Sequence, residues 1–291
     1  MTDLPQPVSF TTALEKFLAH LRTQKRSSAT TTAYGSDLQQ LRKHLDSHRI
    51  TQATTVRTEH LEGYIQDLAS KNYTPKSVSR KINSLKTFFK FLQNQDIVTE
   101  NPAHPLIHPK YDTKPPRFLS PAEVRNLRDA ARLDIRISTI IELLLQTGMR
   151  ISELASLRVD DLKKAEVHIQ SLENNPARDI FLNRPAISAV TNYLAIRPKV
   201  VDPHLFVTKT GRPLLVRNIR TAIGRYFHKA GVKDAKINDL RHTFIAHQLK
   251  HGVEPEIVHK HVGHRRLSST QKYLDHITVD VTESTTRLLE L

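Results

Sequence analysis

The sequence predicts a mainly α-helical protein with one small β-sheet, divided into two domains. Three observations support this fold class. Apolar residues recur every three or four positions through residues 8–96, and the same helical period returns after residue 118. Residues 166–183 instead alternate between apolar and polar side chains, as β-strands do. Between the two helical regions, residues 102–116 contain five prolines, which excludes a helix or a central strand there.

The first helical region divides into four predicted helices. "TTALEKFLAHL" opens with a capping box formed by Thr12 and Glu15. "AYGSDLQQLRKHL" and "TEHLEGYIQDLAS" repeat the apolar period. "TPKSVSRKINSLKTFFKFL" has the clearest pattern, with Thr74 as its cap and Pro75 in its first turn.

The fourth helix also carries a row of basic residues outside its apolar stripe. We interpret this row as a face that contacts DNA, although an ordinary solvated surface is the alternative. The residues are Lys76, Arg80, Lys81, Lys86 and Lys90.

The proline-rich stretch predicts a linker over residues 101–117, between a helical domain at 1–100 and a second domain at 118–291. The second domain begins with a capping box in "SPAEV" and continues with the apolar helix "STIIELLLQTGMR". "EVHIQS" and "RDIFLN" flank the turn-rich "LENNPA" and predict a β-hairpin. Helices are predicted again from about residue 185.

The charge of the chain restricts its partners. The 291 residues carry a formal net charge of +15. Basic residues outnumber acidic ones by 14 to 8 in residues 1–98 and by 30 to 21 in residues 99–291, so the two balances are +6 and +9. A chain that is basic throughout favours a polyanionic partner, with nucleic acid before an anionic membrane surface.

Other functions are excluded by composition. The chain has no cysteine, so disulfides, cysteine-ligated zinc and a thiol nucleophile are ruled out. "HKHVGH" has no carboxylate beside its histidines to complete a metal site, and we expect no metal. No apolar run approaches the ~18 residues of a membrane span, so we expect a cytoplasmic protein.

Two arginines and a histidine–tyrosine pair are the candidate site. Arg150 follows a Thr-Gly turn, and Arg241 lies near a predicted helix start. In "GHRRLSSTQKYLDH", Tyr273 comes nine residues after His264. A lone tyrosine is usually a packing residue, and its pKa near 10 makes it a poor nucleophile without a proton acceptor.

Taken together, these motifs resemble those of the tyrosine recombinases of the phage integrase family, most closely the Xer-type enzymes. The similar segments are "TGMRISEL", "DLRHTFIAH" and "HVGHRRLSSTQKY". The resemblance extends over nearly the whole chain. It implies a SAM-like core-binding domain followed by the catalytic domain.

The resemblance also implies roles. Arg150 and Arg241 would clamp the scissile phosphate, and His264 would donate a hydrogen bond to it or orient it. Tyr273 would attack to form a 3′-phosphotyrosyl bond, with no metal or nucleotide cofactor. Glu153 matches an acidic position of the family and would support an arginine.

Two family positions differ in this chain. The hairpin lysine that protonates the leaving 5′-oxygen is replaced, with Glu173 nearest its place, and Lys164 and Lys209 are the candidate substitutes. The histidine three residues before the second arginine is Asn238, which cannot transfer a proton at neutral pH. We therefore expect slow or conditional cleavage.

We interpret the chain as a site-specific recombinase that acts on a double-stranded DNA site, in a homo- or hetero-tetramer, in DNA recombination, integration or chromosome partition. Two alternatives remain open. One is a DNA-binding architectural paralogue that keeps the fold and does not cut. The other is a type IB topoisomerase-like enzyme.

Overall fold

A computed structural model describes residues 7–24, 26–112, 114–172, 175–279 and 285–291. The chain divides into two compact units, residues 1–113 and 114–291. The predicted fold class is confirmed, because the elements in the described residues are helices apart from one three-stranded sheet in the second unit. None of the helices in the described ranges is long and apolar enough to cross a membrane.

The first unit is a bundle of four longer helices. Three of them begin at a hydroxyl residue, Ser9, Ser27 or Thr74, whose side chain accepts a hydrogen bond from the first turn. Their apolar faces meet in one core that contains Phe17 and Phe88. The helices are α1 (Phe10–Thr23), α2 (Ser28–Ser47), α3 (Thr58–Ser70) and α4 (Pro75–Asn94).

The basic face of α4 contains fewer residues than predicted. Lys76, Arg80 and Lys90 are exposed and Lys86 is half-buried. The prediction that Lys81 lies on this face is wrong, because its side chain is only 3% exposed. Its ammonium group donates to Asp37 Oδ1 at 2.9 Å and to Gln40 Oε1 at 2.7 Å.

The first residues of the proline-rich stretch pack on the first unit and do not form a free linker. Ala103 and Leu106 are buried in the core of the first unit, and Thr58 donates to the carbonyl of Pro102 at 3.0 Å. Residues 107–112 have no regular secondary structure. Prolines exclude helix here, but the apolar residues between them still pack.

The second unit is built around α6, which packs on α8 and α10. Ser120 and Glu123 form the predicted capping box at the start of α5. The helices of this unit are α5 (Pro121–Ala131), α6 (Ile135–Thr147), α7 (Ile151–Ser156), α8 (Arg184–Ile196), α9 (Val216–Lys229), α10 (Ile237–Lys250), α11 (Pro255–Val262) and α12 (Ser268–Gln271).

The small sheet has the predicted antiparallel hairpin. Its strands are β1 (Leu162–Lys163), β2 (Glu166–Ile169) and β3 (Arg178–Phe181), in the order β1-β2-β3. Ile169 pairs with Arg178 at the turn end of the hairpin. This register brings Arg178 close to α11, which contacts β3.

The C-terminal residues pack on the second unit. Gln248 makes two hydrogen bonds of 2.8 Å with the backbone of Leu289, and Gln146 donates to the carbonyl of Leu291 at 2.7 Å. Leu288 and Leu289 cover a small apolar cluster that contains Tyr273. The tail therefore folds back on its own domain.

Candidate active site

Arg150 is placed by the turn between α6 and α7. Gly148 ends α6 with a φ of +59°, in the left-handed region that favours glycine. A Cβ at this position would collide with the ring of Phe244. The chain then turns directly into α7, and Arg150 is its N-cap residue. The Thr-Gly turn of the sequence motif therefore has a steric reason.

A buried carboxylate connects Arg150 to a second arginine. The Glu153 side chain is 1% exposed. It accepts from the Arg150 guanidinium at 2.9 Å and from the Arg150 backbone N–H at 2.8 Å. Arg178 donates to both of its oxygens, at 2.9 Å each. Burial raises the pKa of Glu153, but the hydrogen bonds from Arg178 and Arg150 outweigh it, and the net pKa lies below the ordinary value.

The C-terminal end of α11 gathers three arginines. Consecutive carbonyls of the chain each accept from a different guanidinium: His261 from Arg178 at 2.8 Å, Val262 from Arg241 at 2.9 Å, and Gly263 from Arg150 at 2.7 Å. Helix C-termini leave such carbonyls unpaired and carry a partial negative charge. The three guanidinium groups therefore satisfy the free carbonyls at the end of α11, and these hydrogen bonds hold the arginines in position.

Glycine is required at position 263, where the backbone passes the Arg178 guanidinium. Its φ is +67°, and an added Cβ would come within 2.7 Å of the Arg178 guanidinium. The residue that follows is His264, so the same turn sets both the arginines and the histidine.

Arg241 lies deeper than Arg150. It is 9% exposed, and it also donates to the carbonyl of Gly148 at 2.5 Å. Burial, with a smaller contribution from Arg150, lowers the pKa of Arg241 to about 9, so it remains charged at neutral pH. Each arginine has five N–H donors, and those that the backbone leaves free can bind an anion. With Glu153 ionised, Arg150, Arg178 and Arg241 give the cluster a charge of 3 − 1 = +2.

His264 lies beside this cluster as a neutral ring. Burial first, and then the charges of Arg241 and Arg150, lower the pKa of His264 to about 3. Its Nδ1 lies 2.7 Å from the hydroxyl oxygen of Thr270, which is fully buried. The contact fixes the ring and leaves Nε2 for another partner.

Tyr273 completes the site at the end of α12. Its side chain is 8% exposed, and its ring lies 6.3 Å from the His264 ring and 6.2 Å from Phe118. Burial raises the pKa of Tyr273 above 10, although Arg241 opposes the shift. The hydroxyl is 2.6 Å from Nδ1 of His242.

The structure thus places Arg150, Glu153, Arg241, His264 and Tyr273 near one another. It adds two residues that the sequence analysis does not identify. Arg178 is reached only through the hairpin register, which local sequence does not reveal. His242 directly follows Arg241 in "DLRHTF". Because Arg241 was already a candidate site residue, its neighbour in the same motif could have been considered as well.

Other predicted site residues lie outside the cluster of arginines, His264 and Tyr273. Asn238 is exposed, three positions before Arg241 on α10. Lys164 and Lys209 are exposed in turns. Within the described part of the chain, no hydrogen bond joins either lysine to the arginines, His264 or Tyr273. Glu173 lies outside the described residues.

Comparison with known families decides where the chain belongs. Residues 117–278 match the phage integrase family, and residues 14–96 match the N-terminal SAM-like domain of phage integrases. The first match alone covers more than half of the 291 residues. The chain belongs to the phage integrase family.

Curated relatives of this phage integrase family member are tyrosine recombinases. Tyrosine recombinase XerC of Listeria innocua is 32% identical and covers 93% of this chain and 95% of its own length. Tyrosine recombinase XerC of Roseiflexus castenholzii is 30% identical and covers 89% of this chain and 87% of its own.

Solved structures share the fold. The crystal structure of XerA recombinase is 24% identical with a TM-score of 0.53 and covers 91% of this chain and 93% of its own. A lambda integrase dimer bound to a COC′ core site is 14% identical, with a TM-score of 0.75, and covers 97% of this chain and 81% of its own.

Proposed function

We propose that this chain is a site-specific DNA recombinase that cuts DNA with Tyr273. The observation that carries the proposal is the position of the Tyr273 hydroxyl, in a buried cluster with a net positive charge and a neutral histidine. A phosphodiester is an anion, and two arginine forks match the geometry of its oxygens. The full-length similarity to tyrosine recombinases supports the same chemistry.

Each residue then has a role in one displacement at phosphorus. Arg150 and Arg241 bind the non-bridging oxygens and stabilise the charge that develops on them. His264 donates to the same phosphate through Nε2. Tyr273 attacks, forms the 3′-phosphotyrosyl bond and releases a 5′-hydroxyl. Glu153 holds Arg150 in position and does not touch the reacting atoms.

The proposed partner is a double-stranded recombination site. Lys76, Arg80, Lys86 and Lys90 of the first unit are proposed to contact its phosphates. Lambda integrase has been solved as a tetramer bound to a Holliday junction, and we extend this assembly to the present chain as a homo- or hetero-tetramer. The proposed site of action is the cytoplasm.

We further propose that proton delivery to the leaving group is the weak step. Asn238 cannot transfer a proton at neutral pH, and general acids contribute about 10²–10⁴-fold to such rates. Lys164 and Lys209 are the candidate donors. A chain that lacked any donor would bind DNA and cut it slowly, which leaves the non-cutting paralogue as the second candidate function.

The test is covalent trapping on a nicked suicide substrate, with either a normal phosphodiester or a 5′-bridging phosphorothiolate at the scissile position. The sulfur leaving group needs no protonation. Wild type should form a covalent complex on both substrates, and faster on the phosphorothiolate. Tyr273→Phe should form none on either substrate and should keep its affinity for DNA.

Tyr226→Phe is the matched control, because it removes a hydroxyl of the same domain that bonds Asp134 at 3.2 Å. It should cleave like wild type. An adduct with Tyr273→Phe would refute the assignment of the nucleophile. No adduct with wild type on the phosphorothiolate would favour the non-cutting paralogue. Equal rates on the two substrates would mean that an effective proton donor is present.

A further inference from the structure

The phenol of Tyr273 needs a proton acceptor before it can attack. Burial keeps its pKa above 10, so at neutral pH the hydroxyl carries its proton. A protonated phenol is a weak nucleophile, and enzymes activate such groups with an adjacent base. The roles assigned above to the arginines and His264 concern the phosphate and leave this proton unassigned.

His242 lies where that base would have to lie. Its Nδ1 is 2.6 Å from the Tyr273 oxygen, within the reach required of a general base. The ring is tilted by 42° to the tyrosine ring, with centroids 5.7 Å apart. A general base must accept here, so the proposed role requires Tyr273 to be the donor and Nδ1 the acceptor. In that arrangement the ring proton of His242 is on Nε2.

We propose that His242 is the general base that accepts the proton of Tyr273 during strand cleavage. The inference rests on the proposed role of Tyr273 as nucleophile. As the phenolic oxygen forms its bond to phosphorus, its proton moves to Nδ1. The bond from phosphorus to the 5′-oxygen breaks with its electron pair on that oxygen, which takes a proton from the candidate donor, Lys164 or Lys209. In religation the attacking 5′-hydroxyl gives its proton back to that donor, and His242 returns its proton to Tyr273.

The surroundings of His242 suit this task. On its own helix it faces Asp239, whose charge raises its pKa, and Arg241, which lowers it. From the segment after α11 it faces His264 and Tyr273. Burial is the largest influence and lowers the pKa of His242 below 6.5. The ring is therefore neutral at pH 7, and Asp239 can stabilise the imidazolium that forms in the transition state.

The protonation state of His242 determines how cleavage depends on pH. Below the pKa of His242 its Nδ1 is protonated and cannot accept, so cleavage should fall about tenfold per pH unit on the acidic side. His264 has a pKa of about 3, so it stays neutral from pH 5 to pH 9 and cannot produce this acidic limb.

Two substitutions separate proton transfer from positioning. His242→Asn places an amide oxygen near Nδ1 and keeps the hydrogen bond from Tyr273, but it cannot take the proton. His242→Ala removes both. On the phosphorothiolate substrate, where leaving-group protonation does not limit the rate, both variants should cleave about 10²–10⁴-fold more slowly than wild type. The acidic limb should vanish in both, and added imidazole should rescue His242→Ala.

His247→Asn is the control, since His247 lies on the same helix, its pKa is also lowered by burial, and its Nε2 contacts the backbone of Glu290 at 3.0 Å. His247→Asn should keep the wild-type rate of cleavage and the acidic limb of the pH profile. A wild-type rate in His242→Asn, or an acidic limb that persists in it, would overturn the proposal. If instead Tyr273→Phe still forms the adduct, the nucleophile assignment itself has failed.

A measurement without DNA checks the same point. In the full chain, ¹⁵N NMR of the His242 ring should show the tautomer protonated at Nε2, with Nδ1 unprotonated at pH 7. The tautomer protonated at Nδ1 would overturn the proposal even if no substrate were cleaved, because Nδ1 could not then accept the phenolic proton.

Discussion

Asp37 in the first unit and Glu153 in the second are both buried carboxylates that pair with two cations. Asp37 accepts from Arg80, Lys81 and Ser84, and Lys81 is itself almost fully buried. Glu153 accepts from Arg178 and Arg150. Each cluster keeps one partly exposed arginine, since the Arg80 side chain is 49% exposed and the Arg150 side chain 27%. The clusters differ in their neighbours: Arg150 and Arg178 share the end of α11 with Arg241, whose charge acts on His264 and Tyr273. This difference distinguishes a structural ion pair from one that positions a reactive group.

The largest expected effect is on stability, and it should be common to both clusters. Removing one partner of a buried ion pair leaves the other charge uncompensated, which costs about 3–5 kcal/mol. Asp37→Ala and Glu153→Ala should each lower the free energy of unfolding by that amount, measured by denaturant titration of the full chain. Asp46→Ala breaks the exposed pair with Arg42 and should cost less than about 1 kcal/mol. A loss in either buried variant no larger than in this control would mean that the cluster is not desolvated in solution.

The next effect should distinguish the clusters. Glu153→Gln keeps the shape of the side chain but loses the charge that holds Arg150. The rate of covalent-complex formation should fall about 10²-fold, the usual cost of a small misplacement in a site. Asp37→Asn is the matched change in the first unit, and it should leave the rate per folded molecule unchanged. Equal losses of rate in the two variants would show that both act through stability alone.

The smallest effect concerns the basic face of α4. Lys90→Ala should reduce the slope of log affinity against log salt by about 1, the value for one lost phosphate contact. Lys81→Ala should not change the slope, because its ammonium group is already committed to Asp37 and Gln40. The measurement is DNA binding over a range of salt concentrations at a temperature where both variants are folded. A reduced slope in Lys81→Ala would return this residue to the DNA-contacting set.

The error over Lys81 shows the limit of periodicity. The apolar spacing of α4 identifies its core stripe, and a lysine beside that stripe normally reaches solvent. Its partner Asp37 lies on α2, 44 positions earlier in the chain. No local pattern connects the two residues, so only the packing of the two helices could reveal that the lysine is buried.

The candidate site was more predictable because its main residues belong to short motifs. Gly148 fixes the position of Arg150, and the turn at Gly263 precedes His264, so local sequence contains much of the geometry. Arg178 and His242 were missed for different physical reasons. Arg178 depends on the register of a hairpin, and the role of His242 depends on which face of α10 meets the segment after α12. Both are tertiary contacts, which a sequence period does not determine.

The row of carbonyls at His261, Val262 and Gly263 has a consequence for how this segment can change. The accepting atoms belong to the backbone, so the side chains at the first two positions can vary without loss of the arginine contacts. A single insertion or deletion would shift all three acceptors by one residue at once and rotate the direction of each. The segment should therefore tolerate substitutions at His261 and Val262 and reject length changes, which makes its length a stricter constraint than the identity of these two side chains.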